Sequence, residues 1–499
     1  YMAQLQAQCA IDTGLSILEK LGITLEPEPP QTANIEELIN LPEMTDPYKL
    51  GALRILMALF PATFTVAPHL FPLIVFKMVN LCLQYGNTAL AGHAYVLYGL
   101  ALCSFLEDIE SGYRFGKLAI KIVEKFPSNE VKYLVVGVFN SFIKHWKNPV
   151  RKSIEVFPSE VITPLLEVGQ IEHACYNLQE YCKQRFLVGE NIEEVDHNYA
   201  KYLELLMKCK QELQIVMVKM WRQFALNMLG QSKDKSCLIG DIFNEVQGLD
   251  DLEEKNNGYL LFNFWFIKLM LLYLCQEYPQ AVAAAKFAEK YTQTGAGLML
   301  VTQFNFYYSL ALLADYPKAN SQEESETEKT REQYLSQVSL NQEKMKEWAY
   351  HAPSNCQHKY DLVEAEKARI LGDNWLAMEL YDRAISGAQN NEYLNEEALA
   401  NELAANFYLE CHKEKIAKTY IIDAYYCYAR WGANMKVNDL EERYRQLLMP
   451  VIRQDKVNIT ASHTLTESSR NTVTSTSSSI SQMLDFSSVM KACQALSRK

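Results

Sequence analysis

Several short stretches carry residue types that do chemistry in other proteins. In "GYRFGKL", Gly112 to Leu118, two glycines and a lysine approach the phosphate-loop pattern. There, backbone amides cradle phosphate and a following hydroxyl binds Mg²⁺. Here the spacing is one residue short, the hydroxyl is missing, and the run sits inside a helical pattern. ATP binding is not expected. In "EHACYNLQEYC", Cys175 and Cys182 share a helical face but His173 does not, so a metal site is not expected either. Cys356 with His358, and Cys411 with His412, are equally isolated. Paired acids such as Glu364 and Glu366, or Glu396 and Glu397, read as charge on solvated helices rather than as general acid–base pairs. No kinase HRD or DFG motif is present, and no cofactor is expected.

One aromatic cluster stands out. "FYLE" and "TYIIDAYYCYARWGA" hold Tyr408, Tyr425, Tyr428 and Trp431. These four could line a concave peptide groove. They could equally be core between repeats, with hydroxyls reaching polar partners, which is the simpler placement.

The elements that must position these residues read as helices nearly throughout. Segments of 12 to 20 residues show 3.6-residue periodicity, with Gly or Pro between them. The net charge of −12, from 48 basic and 60 acidic residues with no basic stripe, argues against nucleic-acid binding. Twelve cysteines without a CxxC pair suit reduced thiols in a cytoplasmic protein. Two apolar runs, Leu53–Phe76 and Tyr259–Cys275, are interrupted by charge or proline, and read as buried helices rather than membrane spans. The start at "YMAQLQAQ" and the stop at "ALSRK" read as cuts from a longer polypeptide.

Within the helices a spacing recurs. Ala377, Tyr381 and Ala384 put two small residues and one aromatic on a single face. Shifted by 40 residues they become Ala417, Ile421 and Ala424, and Ala365 in the preceding helix becomes Ala405. Ala281, Ala285 and Ala288 repeat the pattern, as do Gly112, Gly116 and Ala119. Small residues let two helices approach closely as an antiparallel pair, which is the logic of tetratricopeptide repeats. The helix packed on Ala377 is expected to be Lys359–Leu371. Lys147–Cys237 fits this template poorly.

The expected organisation is an N-terminal helix and Pro-rich linker at 1–45, then a TPR-like array at 46–318. A charged interruption at 319–335 precedes further TPR-like repeats at 336–450. Residues 451–481 form a Ser/Thr-rich linker, and 482–499 a helix with a heptad seam of Met483, Phe486, Met490 and Cys493. The fold class is all-α, a TPR-like superhelical solenoid with a C-terminal flexible linker and signalling helix.

The strings "HKYDLVEAEKARILG", "AMELYDRAI", "NEYLNEEALANELAANFYL", "YARWGANMKVNDLE" and "LDFSSVMKACQALS" together resemble the helical region of large bacterial signalling kinases, best known from cyanobacteria. In that family a Ser/Thr kinase and an AAA-type ATPase precede the region, and a GAF domain and a histidine kinase follow it. The resemblance implies a non-catalytic connector that contacts protein partners or neighbouring domains, with neither membrane nor nucleic acid. It also implies that the last helix leads to a sensor domain, where it could pair two copies. No catalytic residue of the family falls within this chain. A stand-alone helical-repeat adaptor, or the helical sensor region of an ATPase-regulated transcription factor, are the alternatives.

Overall fold

The computed structural model describes residues 7–31, 34–254, 257–317 and 324–450. The expected linker at 451–481 and helix at 482–499 lie outside the described residues. Among the described residues the fold is all-α, and no strand longer than an isolated bridge forms.

The chain opens with α1 (Ala7–Lys20), α2 (Pro47–Val66), α3 (Phe71–Tyr85), α4 (Ala89–Ser104), α5 (Ile109–Lys125) and α6 (Asn129–Val138). An irregular stretch follows. It holds a π-helical turn at Phe139–Ile143, the short helix α7 (Arg151–Ile154), a second π-helical turn at Phe157–Ile162, and α8 (Thr163–Glu167). Next come α9 (Ile171–Leu187), α10 (Ile192–Lys208), α11 (Glu212–Met228), α12 (Glu245–Glu254), α13 (Gly258–Leu274), α14 (Tyr278–Glu289) and α15 (Met299–Ala314). The chain continues through α16 (Glu324–His351), α17 (Pro353–Leu371), α18 (Asn374–Asn390), α19 (Leu394–Glu410), α20 (Glu414–Trp431) and α21 (Asn434–Arg443). From Glu324 onward, the segment expected as a charged interruption belongs to α16.

Consecutive helices pack as hairpins, most extensively α4 with α5, α13 with α14, α17 with α18 and α19 with α20. The result is an all-α solenoid. Its period is written in the backbone. A residue of positive φ ends a helix at Gly372, Glu392, His412 and Gly432, each 20 positions after the last. Gly169, Gly189, Lys210 and Gly230 mark the same rhythm through the middle of the chain. Each unit is a helix of about seventeen residues plus a turn. Glycine fills this left-handed position at no steric cost, whereas Glu392, His412 and Lys210 hold it against the Cβ clash, at about 1 kcal/mol each. The stretch from α9 to α11 therefore belongs to the repeat, although its side chains lack the small–large–small face.

Caps fix where the helices begin. Asp373 Oδ1 accepts from the Leu376 amide at 3.1 Å to start α18, and Asn191 Oδ1 accepts from the Glu193 and Glu194 amides to start α10. Helix α2 is long and apolar enough to span a bilayer by length and composition. Here Leu53, Leu56 and Leu59 are covered by neighbouring helices, and Pro61 interrupts its hydrogen-bond ladder.

The solenoid winds until successive turns touch. Asn355, Asn395 and Asn434 stand near the starts of α17, α19 and α21, at intervals of 40 and 39 residues. Each donates from Nδ2 to a backbone carbonyl more than 200 residues earlier. Asn355 reaches His145 O at 2.7 Å, Asn395 reaches Leu187 O at 3.1 Å and Asn434 reaches Leu229 O at 3.4 Å. The acceptors are themselves 42 residues apart. Two rows of repeats thus meet in register through a ladder of asparagines.

Candidate functional site

The expected repeat-packing residues lie in the interior. Ala119, Ala281, Ala288, Ala365, Ala377, Tyr381, Ala384, Ala405, Ala417 and Ala424 are fully buried. Gly112 faces α4 so closely that a Cβ there would meet Gly99 O at 2.7 Å. The glycines of "GYRFGKL" serve this backbone-to-backbone approach inside α5, and Gly116 makes room for the Phe139 ring. Helix α17 packs on α18, so Ala377 is covered by the helix containing Lys359–Leu371.

The four candidate surface aromatics take the interior placement. Tyr408, Tyr425, Tyr428 and Trp431 are all buried, so they do not form an exposed groove. Tyr428 donates to Glu402 Oε2 at 2.7 Å, Tyr425 to Glu441 Oε1 at 2.9 Å, and Trp431 packs 5.8 Å from the Phe186 ring across the two rows.

The acids need a correction. Glu366 and Glu396 are buried, not solvated, while Glu364 and Glu397 are partly exposed. The reason is architectural. Helices α17 and α19 lie between an outer helix of their own pair, their neighbours in the row and the adjacent row. An inner helix is enclosed on nearly every side, and any charge it carries must find a partner there.

Glu396 on α19 is the best-enclosed example. It receives His358 Nε2 at 2.5 Å and Lys359 Nζ at 2.9 Å from α17, and Gln303 Nε2 at 2.7 Å from α15. Burial pushes its carboxyl up, but the Lys359 ammonium and His358 more than offset this and hold it at about 2. His358 is held below the ordinary histidine value, first by burial and then by Lys359. Lys359 also donates to Asn355 O at 2.6 Å and sits 4.2 Å above the Tyr393 ring.

Three further knots share this construction. Glu402 binds Lys436 at 2.9 Å, Arg443 and Tyr428, and its carboxyl stays below the ordinary value despite burial. Glu366 receives the Tyr381 hydroxyl and Arg369. Glu180 on α9 binds Lys183 at 2.5 Å and the Tyr259 hydroxyl at 2.7 Å. Each carboxylate is matched by cations and donors from its own or neighbouring helices. The ionised Glu396 and Glu402 have no proton to give near neutral pH, and their oxygens are already occupied. The knots tie neighbouring helices together. Among the described residues, no three His, Cys, Asp or Glu groups converge as metal ligands.

Outward-facing residues differ. Leu371, Trp375, Leu376 and Ile416 are exposed, Trp375 by 79%. Leu376 and Ile416 hold the same place, near the start of the outer helix, one repeat apart. Sequence reasoning passed over this edge. The signal was available: Trp375 lies two residues before Ala377, about 200° around the helix, so an inward Ala377 forces it outward.

No family model matches the chain. A hybrid signal transduction histidine kinase G from Dictyostelium discoideum is 24% identical to it over 157 residues. That match covers 30% of this chain and 4% of the relative, so the chain spans only a small part of that protein. A segment of this all-α solenoid is therefore similar in sequence to part of a signalling histidine kinase.

Proposed function

We propose that this chain is a non-catalytic, TPR-like protein-interaction and signal-coupling module of a multidomain cytoplasmic sensor kinase, set between an ATPase and a GAF domain. One observation carries the reading. The buried carboxylates Glu366, Glu396 and Glu402 are matched by cations and hydroxyls around them, while an apolar edge of Leu371, Trp375, Leu376 and Ile416 is left facing outward. A solenoid with a locked interior transmits force, and an exposed apolar patch is where a partner buries surface. The similarity to part of a histidine kinase supports the signalling setting.

The first test is to read the coding DNA on either side. Kinase and phosphate-loop motifs upstream, with GAF and histidine-kinase motifs downstream, would support the connector role. A chain that starts and stops at these ends would overturn it. In the full-length kinase, Trp375→Asp combined with Ile416→Asp is expected to lower phosphorylation output. Stability should move by no more than about 0.5 kcal/mol, because both sites are exposed. Unchanged output would sink the assignment of this edge.

A further inference from the structure

We infer that the pocket between α4, the start of α5 and the segment 35–40 binds a small primary ammonium ion with a short alkyl chain. The pocket holds about 230 Å³. An engineered cavity of about 150 Å³ takes up benzene, so a molecule of about six heavy atoms has room here. Ile35, Leu102 and Phe115 supply apolar walls. The wall that carries Ile35 is tied down on both sides. Arg114 Nε on α5 donates to Glu36 Oε1 at 2.8 Å, and Lys125 Nζ donates to Ile39 O at 2.7 Å.

Tyr98 is the buried polar residue of this pocket. It is 4% exposed, and its ring stands edge-on to Phe115 at 4.8 Å and to Phe76 at 6.0 Å. Its hydroxyl finds no hydrogen-bond partner among the described residues, and it is not one of the unpartnered atoms sealed from solvent. What remains open of Tyr98 therefore opens on the pocket that it lines. Burial, and then the Asp108 carboxylate, push the hydroxyl above the ordinary tyrosine value, so it stays protonated and adds no charge.

Asp108 is set in place by two bonds. Its amide donates to Leu102 O at 2.9 Å, and its Oδ1 accepts from the Ser111 amide at 2.9 Å to cap α5. Among the described residues its second oxygen has no partner. That oxygen, the Ser111 hydroxyl and the Tyr98 hydroxyl are three acceptors on one pocket. A primary ammonium has three N–H bonds to give.

The charge of the lining decides the sign of the ligand. Arg114 also lines the pocket, but its Nε and Nη2 are both spent on the Glu36 carboxylate. With that pair neutral, Asp108 is the uncompensated charge on the lining, and a cation balances it. An anion or a zwitterion would bring a carboxylate to a guanidinium that Glu36 already matches. An exposed carboxylate alone would hold an ammonium weakly, and the buried hydroxyl and apolar walls are what make a site. This inference goes beyond the docking role proposed above and does not depend on it.

n-Butylammonium and n-butanol, titrated into the whole chain in dilute buffer and followed by calorimetry, test the site. Butylammonium should bind with a Kd of about 1–10 mM, and butanol, of the same shape without the charge, at least about tenfold more weakly. Asp108→Asn keeps the cap of α5, because Asn caps as well as Asp. It should leave the melting temperature in place and weaken butylammonium about tenfold. Tyr98→Phe keeps the ring contacts and should weaken it roughly threefold, since one of three acceptors is lost. Glu110→Gln removes a nearby charge that does not line the pocket, and should leave binding unchanged. Absence of saturable butylammonium binding, equal binding of butanol, undiminished binding in Asp108→Asn or Tyr98→Phe, or an equal loss in Glu110→Gln each overturns the inference.

Discussion

Hairpins α4/α5 and α19/α20 each sink one helix into the interior, and they do so by opposite means. Helix α4 is almost wholly apolar and meets α5 through glycines, with Gly99 and Gly112 backbones touching. Helix α19 carries Asn395, Glu396, Asn401 and Glu402 into the interior, and meets its neighbours through ion pairs and hydroxyl bonds. The apolar hairpin gains its stability from area removed from water, without direction. The charged one gains little net energy, because desolvation offsets attraction, but its pairs fit only one register. The first turn of the solenoid is thus held by volume, and the second by matched partners across helices.

The largest expected effect comes from breaking one partner in the second turn. Glu396→Ala strands Lys359 and His358 in the interior, and should cost about 3–5 kcal/mol in equilibrium unfolding. Glu396→Leu combined with Lys359→Met and His358→Leu removes the whole knot, and should restore most of that loss. A triple variant as unstable as Glu396→Ala would show that the knot is worth more than its desolvation. In the first turn the equivalent break is steric. Gly112→Val places a methyl against Gly99 O and Cys103 Sγ, and should cost about 1–3 kcal/mol or more, because backbone cannot step aside.

Acid separates the two turns by mechanism. In the first, burial holds His93 and His145 at about 3, well below the unfolded value near 6.5. Their folded values are depressed, so the unfolded chain binds protons first. Stability is complete above pH 6.5 and falls as pH drops toward 3. In the second, Glu396 at about 2 against 4.5 contributes stability that is present above pH 4.5 and lost below it. His358 adds a loss in the upper window, in the direction set by its burial. Replacing His93 with Leu should flatten the stability curve between pH 6.5 and about 3, by up to about 1.4 kcal/mol per pH unit. The cleanest window is pH 6.5 to 4.5, where Glu396 does not yet contribute. A curve that keeps its slope there would mean that His93 is protonated in the fold.

These contrasts also explain what could be read from residues alone. The 40-residue offset between Ala377 and Ala417 was legible because close helix approach demands small residues, and sequence records that demand locally. The repeat through Lys147–Cys237 was not, because there the period lives in backbone turns at Gly169, Gly189, Lys210 and Gly230, which look like ordinary helix ends. Glu366 and Glu396 were read as solvated because an inner helix buried on all sides loses its amphipathic stripe. Contact between rows was invisible for a different reason. Asn355 and His145 are 210 positions apart, and no local pattern announces a partner at that distance.

The asparagine ladder gives the finest comparison, since one residue type does one job at three depths. Asn355 is buried and makes four bonds: to His145 O and Asn148 O from Nδ2, and from the Val150 amide and the Tyr393 hydroxyl at Oδ1. Asn355→Ala should cost about 1–3 kcal/mol, because it leaves several of these groups buried and unmatched. Asn395 makes a 3.1 Å bond and also lies against Gly189, where a Cβ would meet its side chain at 2.5 Å. Its loss should cost about 1 kcal/mol. Asn434 reaches its carbonyl at 3.4 Å and is exposed, so water can replace it, and Asn434→Ala should change stability by less than about 0.5 kcal/mol. The order matters more than the sizes. A ladder that zips the rows from its buried end predicts Asn355 above Asn395 above Asn434. Equal losses at all three would mean that the rows are held by the ring contacts between them, such as Trp431 on Phe186 and Trp146 on Trp348, and that the asparagines only decorate the join.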